Sequence, residues 1–309
     1  MSSRTGPRIA VIMGGLSAER EVSLVSGRDV AAALREEGFE VFEVDAGPDL
    51  CSVLTDLTPD AVFNALHGRW GEDGCVQGLL EWMGIPYTHS GVRASAQAMD
   101  KRASKAIFRA NGLPVVRDVP VTKAEAMARH PMEPPYVLKP VTEGSSVGVY
   151  IVPEGANGTA QIAPSTPDKL MAEAFIPGRE LTVTVLDTSG QPVALGVTDI
   201  VVNAGWYDFD AKYVAGGSTH ILPADLPEDI TRLCLSHAVA AHKALGCRGM
   251  SRTDFRWDEA RGTEGLNLLE TNTQPGMTPT SLSPEQAAHV GISYGALCRM
   301  LVEDATCNR

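Results

Sequence analysis

The sequence is short of the features that mark several broad classes of protein. It has 26 Lys and Arg residues against 38 Asp and Glu residues, a formal charge of −12, which excludes a nucleic-acid binder held by bulk positive charge. No apolar run approaches the roughly 18 residues that span a bilayer, so we expect no membrane insertion and no export. The six cysteines form no Cys-x-x-Cys pair and lack histidines at zinc spacing. They are predicted to be reduced thiols of a cytoplasmic protein.

The chain has instead the composition and pattern of a globular protein with two or three domains. Its 309 residues are 44% hydrophobic, which is enough for a core without disulfide or metal support. The first hundred residues alternate strand signals at 9–13, 41–44 and 61–66 with a helix at about 19–37. This alternation predicts a parallel sheet covered by helices, in a first domain that ends near residue 95.

Later segments are richer in β-structure, so the fold class is predicted to be α/β to α+β. A helix over 101–110 is followed by short strands and then by a second strand-rich region from 181 onward. The predicted strands are 115–121, 136–139, 147–152, 181–186, 191–201, 250–257 and 266–272, and the predicted helices are 228–245 and 293–303.

A hairpin near the C-terminus carries a candidate metal site. Period two puts Arg252 and Asp254 on one face of the first strand and Glu270 and Asn272 on one face of the second. A turn centred on Gly262 would place positions 254 and 270 opposite each other. Two carboxylates and an amide then form a hard-oxygen site suited to Mg²⁺.

The opposite hairpin face is predicted to be apolar, with Phe255 and Leu269. A plainer interpretation is a solvated face on which Arg252 neutralises the acids. The segment 273–278 favours the functional interpretation, because a polar strand that enters a Pro-Gly turn can aim backbone N–H groups at an oxyanion.

The segment 139–148 is predicted to be a Gly/Ser loop at a hairpin tip that covers phosphates with its backbone N–H groups. It is not a Walker A loop, which needs Gly-Lys-Ser/Thr at a helix start. The same loop spells Gly-x-Ser-x-Gly around Ser146, so a serine hydrolase with His220 or His237 as base is an alternative. A nucleophile elbow must be followed by a helix, however, and strand residues follow here.

Two further polar segments are candidates for substrate contacts. Glu19 lies in a strand-to-helix turn, and His67 follows the next strand of the sheet; with Glu72 and Asp73 they outline a pocket for a small zwitterion. Lys212, one of only seven lysines in the chain, lies among aromatic and acidic residues, which suits a phosphate contact.

Taken together, these motifs resemble the D-alanine:D-alanine ligase family of the ATP-grasp superfamily. Seven segments occur in the order that the family has, and they cover nearly the whole chain. They are Gly14–Ser23, His67–Gly74, Met99–Lys101, Glu143–Gly148, Tyr207–Tyr213, Arg252–Asp254 and Glu270–Thr278.

The resemblance implies three domains, 1–95, 96–180 and 181–309, with a Rossmann-like parallel sheet in the first and ATP bound between the other two. It implies that one D-alanine carboxylate attacks the γ-phosphate and that the amine of a second D-alanine attacks the acyl phosphate. A relative that joins D-alanine to D-lactate is the alternative within the family. We expect a cytoplasmic homodimer that makes a peptidoglycan precursor and binds neither nucleic acid nor membrane.

The resemblance also implies a role for each site residue. The implied metal ligands for two Mg²⁺ (or Mn²⁺) are Asp254, Glu270 and Asn272. The implied ATP contacts are Lys101, Lys139, Ser146, Glu173, Glu180 and Lys212. The implied substrate and catalytic groups are Glu19, His67, Ser145, Tyr213, Arg252, Gly276, Ser281 and Leu282. Relatives usually have Ser where Gln274 stands and a small apolar residue where Ser251 stands.

Overall fold

The computed structural model describes residues 6–144, 148–156, 158–202 and 217–307. An N-terminal parallel sheet comes first, with strand order β2-β1-β3. Its strands are β1 (Arg8–Met13), β2 (Glu40–Asp45) and β3 (Ala61–Asn64), and its helices are α1 (Arg20–Glu36) and α2 (Leu50–Leu57). β1 is buried from Ile9 to Met13, as expected of a central strand covered on both faces. The predicted parallel sheet is confirmed.

Three helices follow the parallel sheet and lead to the rest of the chain. They are α3 (Cys75–Met83), α4 (Val92–Met99) and α5 (Lys101–Ala110). Asp100 caps α5, because its carboxylate accepts hydrogen bonds from the backbone N–H groups of Arg102 and Ala103. This cap makes Lys101 the first residue of the helix.

A four-stranded antiparallel sheet with strand order β4-β7-β5-β6 comes next. Its elements are β4 (Asp118–Thr122), α6 (Lys123–Ala128), β5 (Tyr136–Pro140), β6 (Tyr150–Val152) and β7 (Lys169–Ala174). Thr122 and Glu125 form a capping box at the start of α6. Residues 115–117, predicted as strand, lie outside β4, and only Val115 makes an isolated bridge, to Leu268.

The largest sheet has five antiparallel strands in the order β10-β9-β8-β11-β12. Its strands are β8 (Arg179–Asp187), β9 (Val193–Val202), β10 (Ser218–Ile221), β11 (Gly249–Trp257) and β12 (Leu266–Asn272). The helices of this part are α7 (Glu228–Leu245), α8 (Leu282–His289) and α9 (Tyr294–Glu303). α7 packs against β8, β9 and β11, so its apolar stripe forms a core with one face of the sheet.

The last helix returns to the first sheet. Leu297 and Leu301 of α9 are fully buried in the same core as Val11 of β1 and Leu34 of α1. Beyond the helix, Thr306 makes an antiparallel bridge to Tyr87. The N-terminal sheet is therefore completed by the C-terminal end of the chain, while the domain boundaries near 95 and 180 remain a prediction. None of the helices in the described ranges is long and apolar enough to cross a membrane.

Candidate active site

A first cavity of about 550 Å³ lies between the four-stranded and five-stranded sheets. Strands β5 and β7 supply one side, and β8, β9, β11 and β12 supply the other. Among the predicted site residues, its lining includes Lys101, Lys139, Glu173, Glu180, Asp254 and Glu270. Four of the implied ATP contacts therefore share one cavity with two of the implied metal ligands.

A second cavity of about 630 Å³ lies between the start of α1 and the segment that follows β12. Its lining contains most of the residues expected to contact amino-acid substrate. They are Glu19, His67, Glu72, Arg252, Gly276, Ser281 and Leu282, and the implied metal ligand Asn272 lines the same cavity. The predicted polar pocket thus exists, and the hairpin of β11 and β12 contributes to it as well.

The two cavities share four lining residues, Lys101, Glu143, Gly144 and Glu270. The Lys101 Nζ donates a hydrogen bond to the Glu143 carbonyl oxygen at 2.6 Å and lies 3.4 Å from the Glu270 Oε2. A cation and a carboxylate therefore stand at the junction of the cavities. A group bound in one cavity can reach a group bound in the other here.

The hairpin has the register that the sequence predicts. Asp254 pairs with Glu270 and Arg252 with Asn272 across β11 and β12. The Arg252 guanidinium donates two hydrogen bonds of 2.9 Å to the Asp254 carboxylate, and Thr182 donates one of 2.5 Å. The ion pair of the plainer interpretation is therefore present, but Asp254 and Glu270 face the cavities and not an open outer surface.

The prediction for Leu269 is wrong. Phe255 is buried in the core on the opposite face of the sheet, as expected, but Leu269 lines the first cavity beside Glu270. The reason is a bulge: the register shifts between Asp254 and Phe255, and Leu268 replaces Leu269 as the core residue opposite Phe255. Two consecutive side chains of β12 consequently face the same cavity.

The segment after β12 is fixed to the N-terminal sheet through Gln274. The Asn272 Oδ1 accepts a hydrogen bond from the Gln274 backbone N–H at 2.6 Å. The buried Gln274 amide donates to the Asn64 carbonyl oxygen and accepts from the Asn64 side chain at 3.3 Å. Its Nε2 also lies 3.3 Å from the Nδ1 of His89. The end of β12 and the end of β3 are therefore joined by hydrogen bonds.

One carboxylate in the first cavity is held by two lysines. The buried Glu173 forms ion pairs with Lys105 and with Lys139, the latter at 2.6 Å between Nζ and Oε2. Burial opposes ionisation of Glu173, but the two ammonium groups outweigh it and lower the pKa of the carboxyl. Burial likewise opposes the charge on Lys139, and Glu173 and Glu270 outweigh it and raise the pKa of the ammonium. Both groups are charged at neutral pH.

Glu180 lies farther along the same cavity, at the start of β8. The Arg256 guanidinium is 3.4 Å from its Oε2, and Arg256 also donates hydrogen bonds to the Ile176 and Gly178 carbonyl oxygens. Arg256 thereby ties the turn before β8 to β11. The arrangement presents a carboxylate at the rim of the cavity, where hydroxyl groups of a ligand can donate to it.

Glu19 immediately precedes α1 and is 8% exposed. Its backbone N–H donates to the Ser17 hydroxyl at 3.1 Å, and that hydroxyl donates to the His67 carbonyl oxygen at 2.7 Å. A Cβ added at Gly144 would lie 3.3 Å from the Glu19 Oε2, and one added at Gly68 would clash with the same carboxylate. Glycines at both positions therefore let a loop from each side approach Glu19.

His67 is buried beside the second cavity, where its Nε2 lies 3.2 Å from the Ser26 hydroxyl and its Nδ1 3.4 Å from the Glu72 Oε1. The expectation that Asp73 joins this pocket is wrong. The Asp73 carboxylate accepts hydrogen bonds from the backbone N–H groups of Trp70 and Cys75. It stabilises the turn before α3 and does not line the cavity.

Ser281 and Leu282 lie at the N-terminus of α8, next to Gly276 in the second cavity. The Ser281 Oγ accepts a hydrogen bond from the Thr278 backbone N–H at 3.1 Å. Unpaired backbone N–H groups at a helix start favour a bound carboxylate. The arrangement is suited to the carboxyl group of an amino acid.

Several predicted residues lie outside the described residues. They are Ser145, Ser146, Lys212 and Tyr213. Of the two histidines of the hydrolase alternative, His220 lines the second cavity and pairs with Glu285 at 2.7 Å. His237 lies on α7, away from both cavities.

Two residues that fix the position of site residues, Lys105 and Gln274, were not predicted from the sequence. Lys105 follows Lys101 by four residues, so the helical period could have placed both on one face of α5. The replacement of the usual Ser by Gln274 was visible, but its partner Asn64 is 210 residues away in the chain. No local signal indicates that contact.

The family models match both parts of the chain. The model described as D-ala D-ala ligase C-terminus matches residues 107–303, and the model described as D-ala D-ala ligase N-terminus matches residues 51–90. The first alone covers more than half of the 309 residues. The chain belongs to the D-alanine–D-alanine ligase family.

Relatives in this family match over full length. The D-alanine–D-alanine ligase of Cereibacter sphaeroides (strain ATCC 17025) is 66% identical over 308 residues, covering 100% of this chain and 99% of its own. The D-alanine–D-alanine ligase of Dinoroseobacter shibae is 64% identical over 309 residues, with the same two coverages. The serine hydrolase and the D-lactate ligase are therefore not favoured.

Solved structures of this family have the same fold. The D-alanine–D-alanine ligase from Bacillus anthracis superposes with a TM-score of 0.79 at 31% identity, covering 97% of both chains. The same enzyme in complex with ATP gives a TM-score of 0.77 at 28% identity, also covering 97% of both chains. The ATP-grasp fold expected from the sequence is confirmed.

Proposed function

We propose that this chain joins two D-alanine molecules to D-alanyl-D-alanine, a peptidoglycan precursor, and converts ATP to ADP and phosphate in the process. The observation that carries the proposal is the junction of the two cavities at Lys101, Glu143, Gly144 and Glu270. A nucleotide in the first cavity and an amino acid in the second would meet at this junction. The membership of the ligase family supports the same assignment.

ATP would occupy the first cavity, with its base toward Glu173 and its ribose hydroxyls toward the Glu180 carboxylate. Lys139 and Lys101 would contact the phosphates, since both ammonium groups reach this cavity and lie near the carboxylates of β7 and β12. Of these two lysines, Lys101 is the one that also lines the amino-acid cavity.

The first D-alanine would bind with its ammonium at Glu19 and its carboxylate on the side of His67. Its carboxylate oxygen then attacks the γ-phosphorus, an O–P bond forms, and the bond to the leaving ADP oxygen breaks. The close approach of Gly144 to Glu19 supports a loop that shields this substrate from water. The products of this step are an acyl phosphate and ADP.

The second D-alanine would bind with its carboxylate at Ser281 and Leu282, where α8 begins. Its neutral amine attacks the acyl carbon, giving a tetrahedral intermediate whose oxyanion would be stabilised by Arg252 and the Gly276 N–H. The C–O bond to phosphate then breaks, and the nitrogen loses its proton as the peptide bond forms. Arg252 and Gly276 both line the second cavity, which supports their role at the oxyanion.

Asp254, Glu270 and Asn272 would hold Mg²⁺. Two carboxylates and an amide oxygen form a hard-oxygen donor set, and Glu270 faces both cavities. The described residues contain no group of three His, Cys, Asp or Glu side chains close enough for a metal ion, which is consistent with a set completed by an amide and by ligand oxygens. When bound, the ions offset negative charge on the transferring phosphoryl group.

The remaining expectations belong to the same proposal. Ser146 would contact the phosphates, Lys212 would contact the γ-phosphate, and Ser145 with Tyr213 would form a hydrogen-bonded set with Glu19 that closes the loops. The expected homodimer and the cytoplasmic location also belong to it.

The deciding experiment is phosphate release from ATP by the purified protein with D-alanine, L-alanine, or D-alanine plus D-lactate. We expect release with D-alanine, together with a dipeptide detected by mass spectrometry, and little release with L-alanine. Equal release with and without an amino acid would contradict the proposal. A depsipeptide as the main product at neutral pH would instead assign the chain to the D-lactate alternative.

A further inference from the structure

Lys105 is a fully buried lysine that no step of the proposed reaction uses. It lies one helical turn after Lys101 on α5, but the two side chains reach different places. Lys101 lines both cavities, whereas Lys105 lines neither. The Lys105 ammonium donates to the Val116 carbonyl oxygen at 3.0 Å and pairs with the Oε1 of Glu173. It therefore contacts Glu173 from the side away from the first cavity.

Glu173 thus has one cationic partner inside the cavity and one outside it. Lys139 lines the cavity and holds the Oε2 at 2.6 Å, so a bound polyphosphate can compete with Glu173 for this lysine. No ligand in the cavity can compete for Lys105 in the same way. A buried carboxylate that lost its only counter-ion would be strongly disfavoured, and a second cationic partner outside the cavity removes that obstacle.

The pKa values of Lys105 and Glu173 are both shifted by burial and by the charge of the other group. Burial is the largest influence on Lys105 and lowers its pKa, although the neighbouring Glu173 opposes the effect. The Glu173 pKa is lowered against the effect of burial, so the group remains an anion. An ionised carboxylate only accepts hydrogen bonds. A base amino group can donate to it, and a ring carbonyl cannot.

We propose that Lys105 is a positioning residue that keeps Glu173 in place as a hydrogen-bond acceptor when Lys139 turns to the nucleotide phosphates, and so makes the first cavity selective for a 6-aminopurine. The proposal rests on the proposed function, because it takes the first cavity as the nucleotide site. Its chemistry is testable with inosine triphosphate, in which a 6-oxo group replaces the amino group of adenine. A site built to accept from an N–H group rejects an analogue that lacks that group.

The test measures the preference for ATP over inosine triphosphate in two independent ways. One is kcat/KM for ATP divided by kcat/KM for inosine triphosphate in D-alanine ligation. The other is the Kd of inosine triphosphate divided by the Kd of ATP, from calorimetry without D-alanine. We expect Lys105→Met to reduce both ratios by about tenfold or more. Lys139→Met should instead weaken the binding of both nucleotides alike and leave the ratio unchanged, since the triphosphate is the same. Lys123→Met, on α6 with its ammonium on the Pro164 and Thr166 carbonyl oxygens, is the matched control.

A second variant keeps the proposal falsifiable if Lys105→Met does not fold. Glu173→Gln has an amide that can donate to the 6-oxo group, so the wild-type preference for ATP should largely disappear. Full ATP preference in either folded variant, or no preference in the wild type, overturns the proposal. These outcomes can be distinguished from a failure of the proposed function. If the wild type ligates D-alanine and Lys105→Met keeps the preference for ATP, only the role of Lys105 is contradicted. A wild type that binds ATP selectively without ligating removes only the ligase assignment.

Discussion

Asp254 and Glu270 are directly opposed residues of two antiparallel strands, and the register changes immediately after them. A regular strand alternates its side chains, so Leu269 and Glu270 could not both face one cavity without this change. The bulge therefore places an apolar side chain beside the acidic pair at the first cavity. Of the two acids, Glu270 lines both cavities and Asp254 lines the first.

The opposed pair gives the first prediction. Asp254→Asn and Glu270→Gln should each lower the turnover of ATP with D-alanine about a hundredfold or more, because charge on the transferring phosphoryl group is no longer offset. Steady-state phosphate release measures the effect. The control is Glu264→Gln, an exposed acid in the connection of the same hairpin. Near-normal turnover in both variants, with unchanged thermal unfolding, would contradict the metal site.

A second prediction concerns the amino-acid cavity. Glu19→Gln should raise the KM for D-alanine by about ten- to a hundredfold, which corresponds to the loss of one charge-assisted hydrogen bond. The KM for ATP should change little, since Glu19 lines only the second cavity. Glu36→Gln, at the exposed end of the same helix, is the control. An equal rise in both KM values would mean that Glu19 acts on the fold and not on the substrate.

A third prediction concerns the contact between Gln274 and the N-terminal sheet. Gln274→Ala removes the amide that donates to the buried Asn64 carbonyl oxygen and accepts from the Asn64 side chain, and should lower the free energy of unfolding by about 1–3 kcal/mol. Denaturant titration gives this value. The exposed Gln191→Ala should change it by less than about 0.5 kcal/mol. If the two variants have the same free energy of unfolding, the contact between Gln274 and Asn64 contributes nothing to stability.

A fourth prediction uses the pH dependence of stability. His89 is fully buried, and its burial, together with the nearby Arg248, lowers its pKa to about 3. The unfolded chain binds a proton below about pH 6.5 that the folded chain does not bind, so this residue costs stability as the pH falls from 6.5 toward 3. His89→Asn should remove this part of the slope, about 1.4 kcal/mol per pH unit at its steepest.

The asparagine is chosen because it fits the local geometry. His89 has a φ of +66°, a conformation that asparagine tolerates better than most residues, and an Asn oxygen can accept from Gln274 as the His89 Nδ1 does. Unfolding free energies at pH 5.0, 6.0 and 7.5 give the two slopes. Parallel curves for variant and wild type would show that His89 titrates alike in both states.

Local signals were enough for the longer elements of the fold. The helices Lys101–Ala110 and Glu228–Leu245 and the strand Leu266–Asn272 have the predicted bounds. The Asp100 cap and Gly246, which has positive φ directly after α7, mark ends that a sequence can reveal. The helices Leu50–Leu57, Val92–Met99 and Lys123–Ala128 were missed because eight residues or fewer give little periodicity.

The site was predictable where residue type and strand period decide it, and not where distant parts of the chain meet. Asp254, Glu270 and Asn272 followed from the period of two hairpin strands. The side chain of Leu269 faces the first cavity because of a register shift, and no residue of β12 indicates that shift in the sequence. The pairing of Glu173 with Lys105 joins a strand and a helix of different segments, so it required the folded chain.

The return of α9 to the N-terminal sheet has a consequence for synthesis on the ribosome. Leu297 and Leu301 complete the core that contains Val11 and Leu34, although the ribosome makes them nearly 300 residues later. At about 5–20 residues per second, the first sheet, whose last strand ends at Asn64, waits at least about 12 seconds for its last helix. During that interval an apolar face of the nascent chain lacks its cover, which makes it a natural client for a chaperone.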